Sequence, residues 1–386
     1  MLRGLIKHAV AVAFDAARAE KLLVMAGRSN RLPLVVGYHQ VVSEFRPDSR
    51  CGITSMQTSC KMLEHHLDWI GQRYEFVSLD EIGAHFETGE PFSRPTAAVT
   101  FDDGYRDVYL NAFPILKRKG IPAAIFVVTD IVGTETAPLH DRLYSALVMA
   151  FDRWSSPARM LSERLVRLNI AASAARGVRL ANLDVFATMR ALFDWLSQAE
   201  IEALTKSIEA DFPDLSASLD EARPLTWEML SEMSEAGLTI GSHTKSHALL
   251  TAEDSERVRE EIIQSRDALQ NRLGIVPRHF AYPDGRFDLR TAKVVAAGYQ
   301  FAYTICRHQL PEYPQMTIPR KMLWENSCTN SFGQFSPAVM NCQVHGMFDW
   351  IAGCGQNHGA AVHAGAKRLN ASEEPARPSW HGGWFI

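Results

Sequence analysis

The stretch RPTAAVTFDDGY, residues 94–105, joins an apolar run to two adjacent aspartates and a glycine. The length and composition of the apolar run are typical of a buried strand. Adjacent carboxylates repel each other, so a solvated turn is the simplest explanation for Asp102 and Asp103. A metal site is the alternative, and it would explain why both residues follow a strand.

Strand and helix patterns alternate on both sides of this stretch. Such an alternation predicts a parallel sheet covered by helices, either open or closed into a barrel. In both forms the active groups gather where the strands end. The other predicted strands lie within residues 32–42, 122–129, 238–243, 278–281 and 299–305, and the predicted helices within 59–71, 106–120, 226–237, 252–274 and 288–298.

Residues 134–222 interrupt this alternation with helical, arginine-rich sequence and no comparable strand pattern. We interpret them as an inserted helical subdomain, and an insertion beside a barrel mouth would suit a substrate lid. The predicted division of the chain is a helical segment at 1–31, a barrel at 32–133 and 223–333, the insertion at 134–222, and a partly loose extension at 334–386.

The composition is that of a soluble globular protein, with 46% hydrophobic and 22% charged residues. A formal net charge of −4 gives no electrostatic reason to expect a nucleic acid partner. No run approaches the roughly 18 apolar residues of a membrane span. Asp15 and Glu20 lie where a signal peptide would need an apolar stretch and a cleavage site, so we expect a cytoplasmic protein.

The N-terminal segment has apolar residues near helical spacing, with basic residues alongside them. Two interpretations are open at this point. A helix packed on the domain is favoured, because short patterns of this kind are weak evidence. A helix that associates with a membrane surface is the alternative.

Polar residues suited to metal chemistry follow two of the predicted strands. His243 and His247 are four residues apart, so one helical turn or tight loop can aim both imidazoles at one point. With one aspartate they would supply two nitrogens and one oxygen, which leaves a fourth position open, as a catalytic zinc requires. The other aspartate would then be free to act as a general base. Each signal is weak alone, but their joint occurrence at strand ends favours a metal site.

Three motifs occur in order, TFDDGY at 100–105, SHTKSH at 242–247 and FAYPDG at 280–285. Together they resemble the motifs of the polysaccharide deacetylases of the NodB-homology group, carbohydrate esterase family four. The resemblance covers about residues 33 to 330, apart from the insertion. It implies a distorted (β/α) barrel that hydrolyses N-acetyl groups, or less often O-acetyl groups, on sugars by attack of a metal-activated water.

The resemblance also assigns roles to single residues. It implies that Asp102 is the catalytic base. One aspartate would bind the cation whose charge lets the other remain ionised nearby. Zn²⁺ is the default for two histidines and an aspartate, although manganese, cobalt or nickel could occupy such a site. The implied metal ligands are Asp103, His243 and His247, and the candidates for holding the oxyanion are Tyr282 and Asp284.

Two departures from the family pattern leave roles to be filled. The C-terminal LxxH motif, which supplies the general acid in many members, is missing, and His39 of VVGYHQVV is our candidate for it. A neutral core or turn histidine is the competing interpretation of His39. The arginine that contacts the base in the commoner third motif is replaced by Ala281. Arg278 and Arg320 are the candidates to pair with the base, and we favour Arg320 slightly.

The predicted function is removal of N-acetyl groups from amino sugars of a bacterial polysaccharide, oligosaccharide or lipid-linked glycan. An O-acetyl esterase or another amide hydrolase on the same fold is one alternative. A non-catalytic carbohydrate-binding protein is a second. The intact set of Asp102, Asp103, His243 and His247 argues against the second, because binding alone does not need a spare base.

Overall fold

The computed structural model describes residues 2–17, 33–47, 52–170 and 184–348. The strands are β1 (Leu34–Tyr38), β2 (Gln40–Val42), β3 (Gln57–Ser59), β4 (Glu75–Phe76), β5 (Thr96–Phe101), β6 (Ala123–Val127), β7 (Thr239–Ser242), β8 (His279–Ala281), β9 (Phe301–Thr304), β10 (Ile318–Pro319) and β11 (Lys321–Met322). The α-helices are α1 (Leu2–Ala16), α2 (Cys60–Gly71), α3 (Leu79–Thr88), α4 (Phe113–Lys119), α5 (Leu139–Arg153), α6 (Pro157–Arg167), α7 (Val185–Trp195), α8 (Gln198–Glu209), α9 (Trp227–Glu235), α10 (Ser255–Leu273), α11 (Leu289–Gly298) and α12 (Pro337–Val344).

The main sheet is parallel and nearly closed. Its strand order is β10-β9-β8-β7-β6-β5-β1-β11, and β4 pairs with the start of β5. Only Arg320 separates β10, which pairs with β9, from β11, which pairs with β1. The two edges of the sheet are therefore joined by one short segment, which confirms the predicted distorted (β/α) barrel.

The barrel interior is filled by side chains from most of its strands. One buried cluster includes Val35 of β1, Ala98 of β5, Phe126 of β6 and Tyr303 of β9. The alternate residues of β5, such as Val99, belong to a second cluster, which also contains residues of α2 and α4. Every residue of β5 is buried, as expected for a parallel strand covered on both faces.

The predicted helices are confirmed, with one difference. Residues 106–120 were expected to form a single helix, but Val108–Ala112 forms a π-helical turn before α4 begins at Phe113. Pro114 has no N–H to donate to the carbonyl of residue 110, and its ring crowds that carbonyl, so a regular α-helical ladder cannot run through this point.

The described residues of the insertion form helices joined by short loops and contain no strand. Helices α5 to α8 surround their own hydrophobic cluster, which includes Leu143, Leu147 and Leu204. Ile53 and Leu249, from two loops of the barrel, belong to the same cluster. The insertion therefore packs directly on the loops that follow the barrel strands.

The N-terminal helix packs on the last described helix. Ala11 and Phe14 of α1 are buried with Val339 and Cys342 of α12. Among the residues that the structure describes, no helix is long and apolar enough to cross a membrane. The end of the predicted N-terminal segment, residues 18–31, and the part of the predicted extension from residue 349 onward lie outside the described residues.

Candidate active site

The loops after the strands contain unusual backbone conformations. Of the five non-glycine residues with left-handed φ in the described chain, four lie in the loops after β5, β7 and β8. Such conformations cost energy and persist where the surrounding structure holds them, most often at functional sites. These four residues are Asp103 (φ 68), Thr244 (φ 68), His247 (φ 65) and Asp284 (φ 54).

The glycine of the first motif lets the loop after β5 approach a neighbouring strand. Gly104 has φ 75, and a Cβ at this position would lie 3.0 Å from Val127 Cγ1 of β6. A side chain would therefore meet both conformational strain and a close contact. The glycine fixes the direction in which Asp102 and Asp103 leave the strand.

Asp102 is buried and fully paired. Arg320 donates from Nη1 to Asp102 Oδ1 at 2.6 Å and from Nη2 to Oδ2 at 2.7 Å. The same Nη1 donates to Thr100 Oγ1 at 3.1 Å, and the guanidinium lies 5.2 Å above the centre of the Phe126 ring. Burial raises the pKa of Asp102, but Arg320 and then His243 outweigh burial, so the pKa lies below its ordinary value. Asp102 is therefore held as a carboxylate.

Asp103 is buried beside two histidines. His247 Nε2 lies 3.2 Å and His243 Nε2 3.5 Å from Asp103 Oδ1. One ligand atom from each of the three residues fits within 4.8 Å of the others. Neither oxygen of Asp103 has a hydrogen-bond partner among the described residues. A buried carboxylate without such partners is costly, and a divalent cation would compensate it, so the residues present fit a metal.

Hydrogen bonds to groups other than Asp103 hold His243 and His247 in place. His243 Nδ1 donates to the Ala281 carbonyl at 2.8 Å, which leaves Nε2 free to act as a ligand. The His247 backbone N–H donates to Thr244 Oγ1 at 2.9 Å. Ser246 between them is held by the buried Glu261, which accepts from its N–H and its hydroxyl at 2.8 and 2.6 Å.

Burial and neighbouring groups shift the pKa values of Asp103, His243 and His247. Burial raises the pKa of Asp103, but His140 and His247 outweigh it and hold the pKa well below its ordinary range. Burial lowers the pKa of His243 to about 4. Burial also lowers the pKa of His247, but contact with Asp103 outweighs it and raises the pKa above its ordinary value. Cation binding would therefore displace a proton from His247 over part of the neutral range.

The insertion contributes a third histidine that sequence reasoning missed. His140, in the first turn of α5, has Nε2 3.7 Å from Asp103 Oδ2 and 2.7 Å from the Tyr105 hydroxyl. Tyr105 donates to Asp141 Oδ2 at 2.7 Å. Burial lowers the pKa of His140 to about 3, so the ring is neutral. The adjacent polar pair in LHDRL, within an apolar helix pattern, was the available signal.

Two other predicted site residues, His39 and Arg278, lie outside the set that fits a metal. His39 is half-buried between β1 and β2, and it lies near enough to Asp102 and Asp103 to contribute to the lowering of their pKa values. Arg278 is directed elsewhere, to Asp80 and Glu87. The roles predicted for these residues stay predictions.

The two residues of the third motif differ in their surroundings. The Tyr282 ring packs in a hydrophobic cluster, and its N–H donates to the Tyr303 carbonyl at 3.1 Å. Asp284 accepts both Nη groups of Arg190, from the insertion, at 2.8 and 2.9 Å, and Arg286 Nε at 2.7 Å. The side chain of Asp284 therefore ties the loop to α7, and neither side chain is placed as an open oxyanion donor.

The family model described as polysaccharide deacetylase matches residues 89–167 and 180–302, together just over half of the chain. The chain belongs to the polysaccharide deacetylase family. This confirms the family predicted from the three motifs, and the predicted enzyme class is that of the family.

Two relatives and one solved structure illustrate the similarity. A poly-β-1,6-N-acetyl-D-glucosamine N-deacetylase of Escherichia coli (strain K12) is 24% identical over 312 residues, which cover 78% of this chain and 38% of that protein. A Staphylococcus aureus (strain N315) protein of the same name is 32% identical over 84 residues, 22% of this chain and 29% of its own length. The chain thus spans well under half of the relatives it matches.

The solved structure is a Streptococcus pyogenes deacetylase in complex with acetate. It superposes with a TM-score of 0.51 at 16% sequence identity, and the match covers 81% of this chain and 97% of that one. At this identity the similarity supports the barrel fold alone.

Proposed function

We propose that the chain is a divalent-metal-dependent hydrolase that removes N-acetyl groups from amino sugars of a polysaccharide, oligosaccharide or lipid-linked glycan. The observation that carries the proposal is the pair of adjacent aspartates with different partners. Asp102 is kept ionised by Arg320, and Asp103 lies beside two histidines in a set that fits a metal. A base next to a cation site is the arrangement that metal-dependent hydrolysis of an amide uses.

Asp103, His243 and His247 would hold the cation, and Zn²⁺ suits this donor set. A bound cation supplies Lewis acidity, which lowers the pKa of water and polarises a carbonyl. Asp102 would take the proton from the attacking water, since its lowered pKa keeps it unprotonated near neutral pH. Arg320 would hold the carboxylate in one orientation while the proton transfers.

Loss of the acetyl group requires a proton on the leaving amine. His39 is our candidate donor, because it is half-buried and lies near both aspartates. The backbone N–H of Asp284, in the loop after β8, is our candidate for holding the oxyanion. The name of the Escherichia coli relative supports N-acetylglucosamine polymers as the substrate class to test first.

The test is acetate release from N-acetylglucosamine oligomers by Zn²⁺-loaded protein, with O-acetylated sugars assayed in parallel. We expect release from the N-acetylated oligomers, and loss of both release and bound metal in His247→Ala. Release from the O-acetylated sugars alone would replace the proposal with an esterase. Metal binding without release from either substrate, by protein that binds the oligomers, would support a carbohydrate-binding role instead.

A further inference from the structure

We propose that His140, contributed by the inserted helix α5, is a positioning residue for the Asp103 carboxylate and thereby sets the affinity of the site for its cation. The inference rests on the metal site proposed above. It gives the insertion a role in the proposed active site itself, in addition to that of a substrate lid.

The two oxygens of Asp103 face different histidines. Oδ1 lies 3.5 Å from His243 Nε2 and 3.2 Å from His247 Nε2. Oδ2 lies 3.7 Å from His140 Nε2. The ligand set that fits a metal uses the first pair of histidines and does not include His140. His140 therefore approaches the oxygen of Asp103 that the two proposed ligand histidines do not face.

The tautomer of His140 follows from its hydrogen bonds. The Tyr105 hydroxyl donates its one proton to Asp141 Oδ2 at 2.7 Å and also lies 2.7 Å from His140 Nε2. While Asp141 is a carboxylate, the hydroxyl proton is used in this bond, and the imidazole donates from Nε2 to the hydroxyl oxygen. The proton of His140 is then on Nε2, which lies 3.7 Å from Asp103 Oδ2 and 3.4 Å from Asp141 Oδ2, so its partial positive charge favours the ionised form of both carboxylates.

The network joins helix α5 of the insertion to Tyr105 in the loop after β5. His140, Asp141 and Tyr105 are buried, with exposed fractions of 6%, 1% and 0%. Burying three polar side chains is unfavourable compared with apolar ones. Helix α5 is already anchored by Leu143 and Leu147, both fully buried in the insertion. A role at the metal ligand explains why polar groups occur in the first turn of this helix.

The other end of the barrel offers a matched control. His279, at the start of β8, has Nδ1 3.1 Å from the Tyr303 hydroxyl and Nε2 3.2 Å from Asp80 Oδ1. It is likewise buried and likewise bonded to a tyrosine and an aspartate. Asp103 follows the end of β5, so the two histidines lie at opposite ends of a parallel barrel. Removing His279 tests the structural cost of losing such a group without touching the metal site.

The experiment measures the Zn²⁺ affinity of the full chain by competition with a fluorescent chelator, with no substrate present. We expect His140→Ala to weaken binding roughly ten- to a hundredfold, as is usual when a group that orients a metal ligand is lost. His140→Gln should regain much of the affinity, because its amide can donate toward Tyr105 and Asp103. His279→Ala should bind Zn²⁺ as the unmodified chain does. Thermal melting of each metal-free variant reports whether it is folded.

Three results would count against the inference in different ways. Equal Zn²⁺ affinity of the unmodified chain and folded His140→Ala would overturn it while leaving the proposed function intact. Weakening in His279→Ala as large as in His140→Ala would reduce the effect to general destabilisation. If the unmodified chain bound no Zn²⁺, the proposed metal site would fail first, and the inference with it. Should His140→Ala not fold, His140→Phe replaces it, and unchanged affinity in that folded variant would equally overturn the inference.

Discussion

Asp102 and Asp103 are neighbours in the chain, yet their carboxylates lie in regions of opposite character. Around Asp102, Arg320 donates to both oxygens and supplies the opposite charge. Around Asp103, three histidines approach, but no described residue makes a hydrogen bond to either oxygen. The left-handed conformation of Asp103 turns the second carboxylate away from the first.

The difference shows how one short motif can supply two functions. The protein itself neutralises Asp102, so this carboxylate is fixed and ionised before any ligand arrives. Asp103 lacks comparable hydrogen bonds and faces histidine rings, which could bind a cation together with it. A base and a metal ligand can therefore be adjacent in sequence without competing for one partner.

The largest expected effect is on activity and metal content, when Asp102 and Asp103 are each substituted separately. Asp102→Asn should lower kcat/KM for deacetylation about 10²- to 10⁴-fold, because a general base is lost, and should retain the metal. Asp103→Asn should lose activity together with metal. Acetate release and metal content of the same samples measure both. If Asp102→Asn lost the metal and Asp103→Asn kept it, the two roles would have to be exchanged.

The second-largest effect is on the free energy of unfolding. Arg320→Met leaves Asp102 buried without its partner, which we expect to lower the free energy of unfolding by about 3–5 kcal/mol. The double variant with Asp102→Asn should recover most of this loss, since no buried charge is then unpaired. Urea unfolding measures the difference.

Arg278→Met is the control for this effect. Its ion pairs with Asp80 and Glu87 lie at the surface, so we expect a change of less than about 1 kcal/mol. Equal losses in Arg278→Met and Arg320→Met would show that the burial of the Asp102 pair carries no special cost.

The sequence was informative where function lies in short motifs at strand ends. Asp102, Asp103, His243 and His247 each follow a strand that local hydrophobicity identifies, and a parallel barrel necessarily brings these ends together. The choice between Arg278 and Arg320 could not be made in the same way. It depends on the closure between β10 and β11, which is set by long-range pairing.

The contribution of the insertion to the site could not be predicted in this way. Its helices could be predicted from sequence, but the surface on which α5 docks could not, because no local pattern encodes it. His140 therefore had no visible partner in the sequence, although it lies 3.7 Å from Asp103. The side chain of Tyr282 illustrates the same limit, since the strand ladder and core packing decide where it points.

The third effect is a difference in pH dependence. Burial lowers the pKa of His66 and His140 to about 3 and of His243 to about 4, so the unfolded chain takes up their protons first as the pH falls below about 6.5. Each can therefore remove up to about 1.4 kcal/mol of stability per pH unit on acidification. His247, with its raised pKa, acts in the opposite direction. The contribution of Asp102 persists to lower pH, since its depressed pKa protects it until the pH falls below its ordinary value of about 3.9.

Urea unfolding of metal-free protein across this range checks the sign. We expect stability to fall from about pH 6.5 downward, and His66→Leu to reduce the slope by up to about 1.4 kcal/mol per pH unit. His66 lies on α2 and contacts Tyr38, so the variant leaves the metal ligands in place. An unchanged slope would mean that His66 is already protonated in the folded protein.

The smallest effect compares two bidentate arginine–aspartate pairs that differ in burial. Arg190 and Asp284 join the insertion to the loop after β8 with the same two-bond geometry as Arg320 and Asp102, but their side chains are 34% and 21% exposed. Water screens such a pair, so Arg190→Met should cost about 1 kcal/mol or less, and the cost should shrink further at about 1 M salt, where the Debye length is about 3 Å. Arg159→Met, in an exposed pair with Glu163, is the control and should change nothing measurable. A salt-independent loss as large as that of Arg320→Met would show that the contact between insertion and barrel is shielded from water as tightly as the Asp102 carboxylate. The contrast between the two pairs would then not hold.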